Sequence, residues 1–195
     1  MSSSVVHRFG WWTAHTSVLL SIFFLSGSLW LQFYQTTLTE PIIVLHRMAI
    51  ILAVLGHAFI LQQGVRHNQI ESGAVAAGLG MTLLGSSLAS AVVLRQLIFF
   101  YDPLKTDYGI SILGQPDYIW IFCLFFIAII DVSIQLLFGG ISQVKPSDGK
   151  KIITKILLTI FMFLILAHGT ALFFQSGVNL FLENNPSDYL LIKQR

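Results

Sequence analysis

Charge is what this sequence has least of. Only 10% of its 195 residues are Asp, Glu, Lys or Arg, while 55% are hydrophobic and the mean hydropathy is +0.77. A soluble domain carries about 25% charged residues. A chain this poor in charge cannot cover its surface with polar groups in water, so it reads as an integral membrane protein. Cysteine is nearly absent. Cys123 alone permits no intrachain disulfide and no thiolate metal cluster, and it lies in an apolar run as a small filler. The net charge of +2 is scattered, without the basic cluster or aromatic-basic stripe of a nucleic-acid binder. There is no internal repeat and no composition shift marking a second domain, so residues 1–195 read as one helical membrane domain. The N-terminal apolar run is too long for a signal h-region and no small-residue cleavage site follows it, so no cleaved leader is expected.

What the chain has in plenty is long apolar runs. Five are long enough to cross a bilayer as helices: about 11–33, 42–62, 72–99, 118–138 and 152–174. The expected fold is therefore an all-α bundle of five transmembrane helices. Trp11-Trp12 and Trp30 with Tyr34 bracket the first span as interfacial anchors. Pro41 is placed to open the second, and Gln63 to Gln69 interrupts the apolar pattern after it. The third is rich in small residues, including Gly78, Gly80, Gly85, Ser86 and Ala89, which let helix backbones approach closely in lipid. Tyr101 to Asp117 is the longest loop and a candidate cap over one face. Five spans set the termini on opposite sides. Arg8, Arg66, Lys145, Lys150, Lys151 and Lys155 fall on the N-terminal side. Lys105, Lys193 and Arg195, with Arg47 and Arg95 at helix ends, fall on the other. The positive-inside rule then predicts a cytoplasmic N-terminus.

Ionisable side chains within membrane spans are costly and usually functional. Here four histidines occupy them. His46 and His57 are eleven residues apart on the second span, almost three whole turns, so they share a face about 16 Å apart in depth. Counting depth along each span at about 1.5 Å per residue puts His15 and His57 at an inner level, and His46 and His168 at an outer one. A macrocycle with a central iron accepts one imidazole on each axial face, so helices at equal depth can clamp a haem b between them. The pairing predicts two haems, or one, with His15, His57, His46 and His168 as metal ligands. Arg47 and Arg95 suit the propionates of the outer haem, although both also fit plain snorkelling to the interface. Asp131, in the inner half of the fourth span, reads either as a proton donor to a quinone or as a carboxyl bonded to a neighbouring helix. His7 and His67 fall in surface segments.

With these residues in view, the second span, Leu45-His46 through Gly56-His57-Ala58-Phe59, resembles the two-histidine helix of the nitrate reductase gamma subunit. That family also has five spans and two haems; the spacing here is one residue longer. Arg8-Phe9-Gly10-Trp11-Trp12-Thr13-Ala14-His15 resembles the first span of the cytochrome b subunits of formate dehydrogenase and hydrogenase. The chain departs from both in offering only His168 where those families use two histidines on one late helix. The resemblance implies a membrane b-type cytochrome subunit of a respiratory oxidoreductase complex, exchanging electrons with quinone and a partner subunit. The loops leave no room for a dehydrogenase domain, so such a chain would be an electron-transfer subunit and not a complete enzyme. The other reading is a structural or pigment-binding accessory subunit of a larger membrane complex. A transporter fits poorly: one carboxylate lies in the spans, and no inverted repeat is visible.

Overall fold

The computed structural model describes residues 3–34, 41–67, 70–100, 111–112, 115–137 and 148–176. Five helices occupy them: α1 (Ser3–Tyr34), α2 (Pro41–His67), α3 (Ser72–Phe100), α4 (Asp117–Leu137) and α5 (Asp148–Ser176). All five are long and apolar enough to cross a membrane. Their surface agrees, since Phe23 is 74% and Phe163 69% exposed, a face that only lipid would solvate. The chain is a multi-pass, all-helical bundle. Between α3 and α4 runs a minimal antiparallel ladder, β1 (Ser111–Ile112) against β2 (Gln115–Pro116), with Ser111 opposite Pro116. The rest of the expected loop cap lies outside the described residues, as do Lys105, Lys145, Lys193 and Arg195, on which the orientation argument leans.

The helices start and stop near the expected points with two exceptions, the first being α1, which begins at Ser3, eight residues before its expected span. α2 opens on Pro41 as anticipated but runs through Gln63-Gly64-Val65-Arg66 to His67. Hydropathy falls there, yet nothing in that stretch breaks a helix, and Arg66 and His67 sit favourably in the last turn against the helix dipole. Gly64 has a packing duty. A Cβ there would stand 3.0 Å from the indole of Trp11 and 3.2 Å from Ile70. Trp11 fills that hollow and is buried, so it is a core residue and not an interfacial anchor; Trp12, Trp30 and Tyr34 are exposed as expected.

α2 is the hub. It packs most extensively on α3 and also meets α1 and α5, while α4 lies mainly against α3 and touches α1 lightly. Glycine decides the α2–α3 seam. A Cβ on Gly56 would collide with the Gly78 carbonyl oxygen, and one on Gly85 would fall 2.5 Å from that of Leu52. Two buried apolar clusters follow from this arrangement. One joins Trp11, Val18, Leu25, Ile60, Leu79 and Phe161. The other joins Ala49, Ala53, Ala89, Val93 and Phe125.

Candidate functional site: two polar levels in the bundle

The outer level is a closed polar cluster built by α1, α2 and α5. Arg47 is 8% exposed, His168 3% and Gln32 2%; His46 is buried too, at 7%, on another face of α2. Arg47 donates through Nη1 to Gln32 Oε1 at 2.6 Å and through Nη2 to the Ser28 carbonyl at 3.3 Å. Its Nη1 also lies 3.5 Å from His168 Nδ1, and His168 Nε2 lies 3.1 Å from the Leu25 carbonyl. These partners assign the tautomer. A guanidinium cannot accept, so Nδ1 carries the lone pair; a carbonyl cannot donate, so Nε2 carries the hydrogen. Arg95 stands apart from this cluster, exposed on α3, whose main packing partners are α2 and α4.

At the inner level the histidines part company. His15, half-buried on α1, donates from Nδ1 to the Trp11 carbonyl at 2.8 Å and meets Thr154 Oγ1 of α5 through Nε2 at 2.9 Å. The same hydroxyl lies 2.8 Å from the Lys150 carbonyl, so its single hydrogen serves one acceptor or the other. His57 instead meets α4. It is 1% exposed, its Nε2 makes no hydrogen bond among the described residues, and Asp131 Oδ2 lies 3.9 Å from it. Asp131 Oδ2 accepts from Gln135 Nε2 at 2.7 Å; Gln135 Nε2 also donates to Thr13 Oγ1 at 2.9 Å, and Thr13 donates to the Gly10 carbonyl at 3.0 Å. This chain of bonds ties α4 to α1 at the inner end.

His57 also lines a cavity of about 100 Å³ between α1, α2 and α4, with Ser17, Ser21 and Phe24 contributed by α1. Ser17, Leu20, Ser21 and Phe24 lie roughly 140–240° around α1 from His15 at 100° per residue. The two inner imidazoles are therefore turned to different seams of the bundle, one to α5 and one to α4. Equal depth alone does not make them a couple.

At the outer level Arg47 and His168 meet, while His46, buried on α2 beside Arg47 in sequence, lies about 100° around the helix from it, on the face that also carries Ala53 and His57. Ligation of a metal through His168 Nε2 would ask for a change of tautomer and the loss of both ring contacts. The hydrogen must pass to Nδ1 and the Leu25 bond must open, an exchange worth about 1 kcal/mol for an ordinary neutral hydrogen bond. The Arg47 contact, the longest in the cluster, must open with it. Reading the sequence for ionisable groups missed Gln32, Thr154 and Thr13. An amide in a lipid-spanning run was a visible signal for Gln32; Thr154 had none, since threonine is ordinary in such helices. No protein-family model, curated protein or solved structure matches the chain.

Proposed function

We propose that the chain is the membrane subunit of an oxidoreductase complex, carrying a b-type haem at its outer level and exchanging electrons between quinone and a partner subunit. The observation that supports this reading is the burial of Arg47 and His168 against each other where α1, α2 and α5 meet, with His46 buried one residue along α2. His46 and His168 are the axial candidates and Arg47 the cation for a propionate. The haem, when bound, supplies one-electron chemistry. The protein's part is to hold both imidazoles neutral, to exclude water with the surrounding apolar side chains, and to offer the propionate a positive partner. The number favoured is one haem, because His15 is turned toward α5 and His57 toward α4.

A second reading has its own support. His168 to Leu25 and His15 to Thr154 each bond α5 to α1, so the histidines also serve as interhelical ties in a scaffold subunit. The two are separated by a pyridine haemochrome assay with a protein determination on the purified chain, expressed with haem precursor. The haem reading expects about one haem per chain and a Soret band that shifts on dithionite reduction. It also expects loss of that band in H46A and H168A but not in H15A. A colourless protein leaves the scaffold.

A further inference from the structure

The cavity of about 100 Å³ between α1, α2 and α4 is lined wholly from inside the apolar spans. Ser17 lies seven residues into Gly10–Tyr34 and Ile50 seven into Ile43–His67, about 10 Å at 1.5 Å per residue. In a bilayer whose hydrocarbon core is about 30 Å thick, that level holds acyl chains and no headgroups. The floor of the cavity is buried: Ala53, Ser21 and Phe125 are each 5% exposed or less. Its rim is not. Leu20 is 47% and Phe24 36% exposed on α1, so the cavity is open on its lipid side.

The walls narrow what enters. Ser21 donates its hydroxyl to the Val18 carbonyl at 2.7 Å. His57 lines the cleft with its ring, but its Nε2 is buried away from it. Around them stand Leu20, Phe24, Ile50, Leu124 and Phe125. A polar group that left its own partners to enter here would find few in return, and an unpaired polar group in an apolar site is costly. A hydrocarbon gives up no hydrogen bond and gains van der Waals contact on three sides. Size points the same way. An enclosed apolar cavity of about 150 Å³ holds a benzene ring. A cleft of about 100 Å³ falls short of one, and suits a chain a single methylene wide that enters from the open side.

We infer that the α1/α2/α4 cleft seats the distal part of one acyl chain of a bilayer phospholipid, held as a resident lipid. The open side of the cleft is continuous with the lipid-facing surface of α1, where Leu19 and Phe23 are 58% and 74% exposed, so the occupant comes from the medium that the five spans require. The seated chain fills the seam where α4 touches α1 only lightly, above the Gln135–Thr13 bond that ties the two helices at the inner end. None of this depends on whether the outer level carries haem.

The test uses the full chain in phosphatidylcholine nanodiscs doped with a phosphatidylcholine that carries a diazirine near the end of one acyl chain. After irradiation, lipid adducts are mapped by peptide mass spectrometry. Phe24 and Phe163 are the same side chain, 36% and 69% exposed, so labelling by passing lipid favours Phe163. A seated chain reverses that order, and Phe24 should carry about fivefold more adduct than Phe163. A128F and S17F fill the cleft from α4 and from α1 in turn. Each should bring Phe24 labelling below that of Phe163 and leave Phe163 itself unchanged. Adducts that follow exposure in the unaltered chain overturn the inference, as does Phe24 labelling that neither filled variant lowers. Should either variant fail to fold, the ratio in the unaltered chain still decides.

Discussion

The seams on the two sides of α2 are built on opposite rules. Against α3, glycines at 56, 78 and 85 let the backbones come so close that a single added methyl has nowhere to go. Against α1 and α4 the facing residues are Leu20, Phe24, Ile50 and Leu124, and what remains between them is a cleft. In lipid there is no water to squeeze out, so helices associate through contact and hydrogen bonding. Small residues give the first without the second. Where side chains are large and α4 is tied to α1 by the Gln135–Thr13 bond at one end, a cavity of about 100 Å³ is left between the helices. Close backbone packing and open space thus fall on different sides of one helix.

That contrast breaks most decisively at the closed seam. Gly56→Leu drives its side chain into the Gly78 carbonyl, a clash with backbone that cannot swing aside. Its cost should exceed the ~1–3 kcal/mol of ordinary overpacking, read as loss of a monodisperse peak in detergent or a large fall in Tm. Gly27→Ala, where nothing lies within 4 Å of the new Cβ, should leave Tm unchanged. Next in size is His168→Ala at the outer level. It removes the tie to Leu25 and the contact to Arg47, and should lower stability by about 1–3 kcal/mol whether or not haem binds. Thermal unfolding of protein prepared without haem precursor measures it. Gln135→Leu should cost about 1 kcal/mol and loosen α4 from α1, so that amides of α4 near residue 135 exchange hydrogen faster while those of α3 do not. The smallest effect belongs to Thr154→Val, which takes one neutral bond from His15 and should cost about 0.5–1.5 kcal/mol. Haem content should not move in T154V; if it falls, the outer level is not the whole site.

The helices were legible in the chain, and the direction in which each side chain points was not. The positions of Pro41, the charge-poor runs and the small residues of α3 foretold the five helices and the closely packed seam. They also singled out His46, Arg47, His57 and His168, all of which are buried. Trp11 was misassigned to the interface because the hollow at Gly64 that receives it belongs to another helix. His15 was matched with His57 because both lie at similar depth, whereas the partner that holds it, Thr154, is on α5.

The amino-acid sequence by itself determined that this protein has five helices long and apolar enough to cross a membrane, and how far along its helix each histidine lies. Position along a helix follows from residue number at a constant rise, so no neighbour need be known. Only the tertiary structure decided which way each imidazole faces, that Asp131 stands beside His57, and that a lipid-facing cleft lies beside them. The rotation of a helix about its own axis is set by the surfaces it packs against, and those surfaces belong to every other helix at once.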